Sequence, residues 1–335
     1  MIPSNRKRRI FVALAAVGAC SVAAFIFRSS KPEPLYQGRP VSFWIAQMGW
    51  SGSQATIVPP NGEAWKAFSR TNQEALPFLI ATLKARLPLR DAFVAKLRPF
   101  LPRKIAARLP LRDYPVEPAK SFALSALNMM GPNACEAVPA LADALTDQPN
   151  RVRAAAANAL GKVGPLATNA IPALIRSLKD PDFQVRYVAL DSLNRIAPED
   201  ERFLAALNAS LTDKHNTIRF RAAGLLLDKK RGSPAVFVAL AGLLQTPVAG
   251  ERWHAIQLIR KAGPPASMVV PALIERLNDQ DERVRAVAAV ALGEIGPLAQ
   301  KAVPALRASA RDEYLMVREA AAEALSRIAP AEGHL

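Results

Sequence analysis

Six arginines, Arg153, Arg186, Arg219, Arg252, Arg285 and Arg318, stand 33 residues apart. Asp147, Asp180, Asp213, Asp279 and Asp312 keep the same period, with Thr246 in the gap. A guanidinium makes bidentate, charge-assisted hydrogen bonds to carboxylates, so these columns invite a functional reading. Six copies of one pattern argue instead for a scaffold. The position after each Arg reads Ala154, Tyr187, Phe220, Trp253, Ala286 and Glu319, with aromatics in three successive units. Relative to Val284, residue 286 is turned by about 200° on a helix, away from the core stripe. One turn further on that face stand Asn158, Asp191, Gly224 and Gln257. Tyr187, Phe220 and Trp253 with Asp191 and Gln257 are therefore candidate partner-binding residues, since exposed aromatics beside polar groups anchor interfaces. The alternative is that the rings fill gaps between irregular units.

Little else points to catalysis. The three histidines, His215, His254 and His334, have no Cys or His neighbour at metal-ligand spacing. The glycines sit as helix stops rather than in a phosphate loop, and no serine elbow is present. Asp279 and Asp281 fall at a turn, where helix capping explains them. No catalytic residue, metal or cofactor is expected.

These side chains must be positioned by a repeated element. In 280–312, Val284, Ala288, Leu292 and Ile295 recur at helical spacing, which predicts a helix over 282–295. Gly296-Pro297 stops it. A second helix is expected near Ala302, with Pro304 in its first turn. Prolines recur at 132, 165, 198, 264, 297 and 330, and a Pro-Ala pair at 139, 172, 271 and 304. Neither helix can bury its apolar stripe alone, so neighbouring units must stack into one core. The units 181–213 and 214–246 depart from the pattern: Gly-Pro becomes Ala197-Pro198, then Lys230-Arg231.

Segments such as VRAAAANALGKVGPLATNAIPALIRSLKD (152–180) and VRAVAAVALGEIGPLAQKAVPALRASARD (284–312) resemble HEAT repeats, in the short variety also found in bilin lyases. The resemblance covers roughly 119–330. It implies an all-α fold: a curved solenoid of stacked antiparallel helix pairs, with the Arg-bearing helix on the concave side. It also implies that the Arg and Asp columns form a ladder tying each repeat to the next. A HEAT solenoid implies a binding scaffold for a protein or peptide. Nothing of bilin-lyase enzymology carries over beyond the scaffold.

The net charge of +16 is uneven. Residues 119–335 carry 26 Lys and Arg against 22 Asp and Glu, and residues 1–118 carry 18 against 6. The near-neutral repeats weigh against nucleic acid along the solenoid. Cys20 and Cys135 do not suggest a disulfide framework.

Arg6-Lys7-Arg8-Arg9 precedes 18 uncharged residues, Ile10–Phe27. Residues 1–30 therefore read as a signal anchor with a cytoplasmic N-terminus, placing the repeats outside the cytoplasm. Cleavage as a signal peptide, or lipidation at Cys20, are the alternatives. Residues 31–118 read as a cap and a first repeat. Ser42 could cap a helix carrying Phe43, Trp44, Ile45 and Met48. Tyr36-Gln37-Gly38-Arg39-Pro40 followed by Trp44 resembles an N-terminal motif of bacterial envelope HEAT-repeat proteins. Glu63–Arg70 reads as a helix, and 75–86 matches the Pro-Ala helix, with Pro77 aligned to Pro139. The 62 residues between those prolines imply an insertion, near 84–115. It is basic: from 84 to 112, Arg90, Lys96, Arg98, Arg103, Lys104, Arg108 and Arg112 stand beside a single acid, Asp91. It could bind an anionic lipid, nucleic acid or acidic partner, or be a solvated excursion.

Overall fold

A computed structural model describes residues 35–36, 39–40, 72–84 and 116–329. The chain divides into two compact units, Met1–Phe78 and Leu79–Leu335. In the first, β1 (Leu35–Tyr36) and β2 (Arg39–Pro40) pair antiparallel, Leu35 opposite Pro40. The all-α reading did not include this small ladder. Helix α1 (Asn72–Lys84) carries Pro77, as the match to the Pro-Ala helices predicts.

Helix α2 (Val116–Met130) leads into six helix pairs. They are α3 (Val138–Ala144) with α4 (Asn150–Val163), and α5 (Ile171–Ser177) with α6 (Phe183–Ile196). Next come α7 (Glu201–Ser210) with α8 (Asn216–Asp228), and α9 (Pro234–Leu243) with α10 (Ala249–Ala262). The last are α11 (Val270–Arg276) with α12 (Glu282–Ile295), and α13 (Val303–Ser309) with α14 (Leu315–Ile328). Each Pro-Ala-type helix packs on the Arg helix next in the chain, through the turn carrying the Asp column.

The local reasons are those of the sequence. Val284, Ala288, Leu292 and Ile295 are buried along one stripe of α12. Gly164 and Gly296 end α4 and α12 with φ of +71° and +73°, in the left-handed region that a Cβ disfavours. Both helices then pass into a 3-10 helix, Gly164–Ala170 and Gly296–Ala302, with the proline at its start. The sequence predicts only a plain turn there. The i→i+3 bonds of the 3-10 helix satisfy backbone groups while the chain reverses.

The Arg helices also pack on one another, and small residues set how closely. A Cβ on Gly161 would stand 2.6 Å from Ser192 Oγ, and one on Gly293 would stand 2.9 Å from Ala324 Cα. Ser192 Oγ donates to Ala157 O across this seam at 2.7 Å. The Pro-Ala helices meet their counterparts far less. The Arg helices thus form the more closely packed row.

The two irregular repeats keep their helices and change their turns. Ala197 has φ −151° instead of a left-handed glycine, and Asp200 caps α7 by accepting from the N–H groups of Arg202 and Phe203. Lys230 takes φ +56°, an uncommon conformation for a residue with a side chain. Here α7 and α9 run 10 residues, against 7 in the regular repeats.

Among the described residues, one stretch, Glu282–Ser309, has the length and hydropathy of a membrane span, and 50% of its most apolar window is buried. It comprises α12, a 3-10 segment and α13, so its apolar residues serve the core of the repeats.

Candidate interaction face

Four rungs of the ladder share one geometry. Arg153 Nε and Nη2 donate to the two oxygens of Asp180 at 2.7 and 2.8 Å, and Arg186 holds Asp213 at 2.8 Å twice. Arg252 holds Asp279 at 2.8 and 2.6 Å, and Arg285 holds Asp312 at 2.8 and 3.1 Å. The third nitrogen, Nη1, donates to a carbonyl of the preceding turn, such as Asp180 O for Arg186 and Thr246 O for Arg252. Each guanidinium therefore ties its own hairpin turn to the next. The aspartates also accept a backbone N–H two residues on, as Asp279 does from Asp281. Lys120 occupies the same column one repeat earlier and holds Asp147 at 2.6 Å, a rung that the arginine column does not announce. Arg318 keeps only the carbonyl half of the pattern, to Asp312 O and Glu313 O.

The carboxyls respond accordingly. Burial pushes Asp279 up, but the Arg252 hydrogen bonds outweigh it and hold the group below the ordinary carboxylate range. Asp180 balances burial against Arg153 in the same way. Asp312 is lowered chiefly by Arg285, and Asp281 is held at about 2, chiefly by Arg283. Asp281 caps α12 by accepting from the N–H groups of Arg283 and Val284.

The ladder fails at Arg219. Thr246 stands at the carboxylate position, and Arg219 Nη2 turns back onto Asn216 Oδ1. Its Nε is buried with no acceptor.

The aromatic column is less uniform than the sequence suggests. Trp253 is 42% exposed on α10, as the helical rotation predicts. Tyr187 is half-buried. Phe220 is only 8% exposed, because the His254 ring stacks over it from the next repeat at 4.7 Å. A second stack joins Phe183 to His215 at 4.2 Å, so Phe–His pairs bridge α8 to both neighbours. The two polar candidates are engaged inside the protein. Asp191 accepts from Arg221 at 2.5 Å, and Gln257 from Arg260 at 2.9 Å, while Arg260 also holds Glu294 at 2.7 and 3.0 Å. The expected three-ring ladder is thus corrected to Trp253 and Tyr187. Phe220 belongs to the packing, Asp191 links repeats through Arg221, and Gln257 is held by Arg260 within α10. Sequence reasoning missed the Phe–His stacks, whose signal was the 32- and 34-residue spacing of each pair.

Residues 1–30 and the basic residues Arg90, Lys96, Arg98, Arg103, Lys104, Arg108 and Arg112 lie outside the described residues, as do the expected helices at Ser42 and Glu63–Arg70. Among the described residues, no group of three or more His, Cys, Asp or Glu side chains could hold a metal ion.

Among solved structures, the chain is similar to an engineered protein at 19% identity and a TM-score of 0.44, over 86% of this chain and 88% of that one. It is also similar to human deoxyhypusine hydroxylase in complex with glycerol, at 24% identity and a TM-score of 0.32, over 78% and 98%. Comparison with curated proteins gives no match. A family model described as HEAT repeats matches four times, at residues 111–194, 138–228, 171–260 and 238–326. With paired helices, glycine-stopped Arg helices and an Arg–Asp ladder at one period, the chain belongs to the HEAT-repeat family.

Proposed function

We propose that this chain is a non-enzymatic interaction scaffold that holds a protein or peptide on its Arg-helix face, between α6 and α10. The observation that carries the reading is Trp253, a large ring left 42% exposed on that face. Interface energy concentrates in such aromatic anchors. Tyr187 is the second anchor. The test is a cross-linking pull-down with the full chain beside a Tyr187→Ala/Trp253→Ala variant. A protein recovered by the first and lost by the second supports the reading. The same proteins recovered by both would move the site to the basic segment 84–115 or the opposite face.

The scaffold is further proposed to be membrane-tethered through Ile10–Phe27, with the repeats outside the cytoplasm. The basic run Arg6–Arg9 ahead of an uncharged apolar segment supports this. An alkaline phosphatase fusion after Leu335 should be active and pellet with membranes. An inactive fusion would overturn the orientation, and an active soluble one would show cleavage.

A further inference from the structure

We propose that the junction between repeats 214–246 and 247–279 is a carboxylate-binding site, formed where the ladder has an arginine and no aspartate, and that it receives an acidic side chain of a bound polypeptide. The polypeptide source rests on the scaffold reading above; the site itself does not.

The sibling rungs supply the template. In four of them the Arg Nε and Nη2 grip both oxygens of a carboxylate 27 residues on. At Arg219 that place is Thr246, whose hydroxyl donates to Leu243 O. Two residues later, siblings add a second favourable group. Asp180 chiefly raises the pKa of Arg153 and Asp279 that of Arg252, with Asp182 and Asp281 adding to each, and the Tyr314 ring lies 5.4 Å from the Arg285 guanidinium carbon. The corresponding residue for Arg219 is Val248, which is 54% exposed.

Asn216 is a placeholder. Its Oδ1 takes the Nη2 bond that one carboxylate oxygen takes elsewhere, and Nε is left without the other. Asn216 is steadied by Glu251, which accepts from its Nδ2 at 2.7 Å. Glu251 breaks a second column: Val152, Val185, Ile218, Val284 and Val317 hold that position elsewhere and are at most 1% exposed. A second guanidinium reaches the same turn, since Arg276 Nη1 donates to Leu244 O at 3.1 Å. Among the described residues, the buried side-chain polar atoms without a partner are His215 Nδ1, Arg219 Nε, Ser233 Oγ and Arg276 Nε. Two of them, Arg219 Nε and Arg276 Nε, belong to the guanidinium groups at this junction. A buried donor without an acceptor is costly, and a docked carboxylate relieves that cost. It takes Nε and Nη2 together and releases Asn216 Oδ1, as Asp180 does on Arg153.

The test reads thermal stability of the full chain as acetate replaces chloride at constant ionic strength. A ligand that binds only the folded form raises the midpoint, here by about 1–3 °C at about 0.3 M. Thr246→Val keeps the rung open and should keep the rise. Thr246→Asp fills the rung from within and Arg219→Met removes the donor; both should lose it. An equal rise in all four proteins would overturn the site, because only a general salt effect would remain. Aspartate blocked at both ends should surpass N-acetylalanine; the opposite order would overturn the side-chain source. Because small carboxylates need no partner protein, an empty pull-down with the acetate effect intact overturns only the scaffold reading. A successful pull-down with no acetate effect overturns only the site.

Discussion

Asp279→Ala strands Arg252 at the most buried rung. Arg252 and Asp279 are 9% and 8% exposed. The variant keeps the Nη1 bonds to Thr246 O and Pro247 O, at 2.9 and 3.0 Å, but empties Nε and Nη2. Arginine cannot escape by losing its proton, so the charge stays buried with two unsatisfied donors. Breaking a buried pair at one partner costs about 3–5 kcal/mol. Two hydrogen bonds to a charged group, at about 1.5–3 kcal/mol each, give about 3–6 kcal/mol, which overlaps that range. The backbone N–H of Asp281 also loses its acceptor, which weights the estimate upward. Removing both charges in Arg252→Met/Asp279→Leu leaves no stranded donor on either residue and should fall within about 1–2 kcal/mol of the parent. Urea unfolding followed by far-UV circular dichroism measures both. Glu323→Ala is the control: its i,i+4 pair with Arg327 is exposed and is expected to contribute no more than about 0.5 kcal/mol. If Asp279→Ala costs no more than this control, the ladder does not hold the repeats together.

The aromatic column separates under truncation. Phe220→Ala should cost about 3–5 kcal/mol, as for a buried ring, and Trp253→Ala under about 1.5 kcal/mol; thermal melts in the reverse order would contradict the burial of Phe220 beneath His254. Gly293→Ala drives a methyl into the Ala324 backbone and should cost about 1–3 kcal/mol. Gly242→Ala, inside α9 with nothing within 4 Å of the new methyl, should instead stabilise by about 0.5–1 kcal/mol, so equal urea midpoints would refute the close approach of α12 and α14. Asp180, Asp279 and Asp312 sit below their unfolded values and Asp281 near 2, so their stabilisation is complete above about pH 4 and is lost as pH falls through the folded values. Urea midpoints of the parent should drop steeply below about pH 4, and those of Asp279→Ala less so.

The regular repeats were legible because every level of their sequence agrees. The apolar stripe of α12, the glycine beyond Ile295 and the capping Asp281 all mark the same helix, and its bounds are Glu282–Ile295 as the spacing predicts. The 3-10 segments were not legible. Gly296-Pro297 announces a stop, but whether the next residues coil or wind depends on the neighbouring repeat against which Ala299 and Ala302 are buried. The irregular repeats show the same limit in reverse. Losing Gly-Pro did not lose a helix, because Asp200 supplies a cap and Phe203, fully buried, supplies core volume that the small residues of other repeats do not.

The interaction face divides along the same line. Rotation about a helix axis says which way a residue leaves its own helix, and for Trp253 that was enough. For Phe220 it was not, since the ring that covers it comes from the next helix, and a one-residue offset in spacing decides whether His254 lands on it. Arg219 lies between these cases. Its missing partner could be read directly from Thr246 in the Asp column, and the misplaced charge from Glu251 among valines. What the columns could not give is that these two departures meet. Asn216 bonds to both sides, donating to Glu251 and accepting from Arg219. A repeat protein is a set of internal controls, so a departure from the column is informative in proportion to how uniform the column is. Two departures converging on one guanidinium whose Nε has no acceptor mark this junction as the place where the scaffold differs from its own pattern.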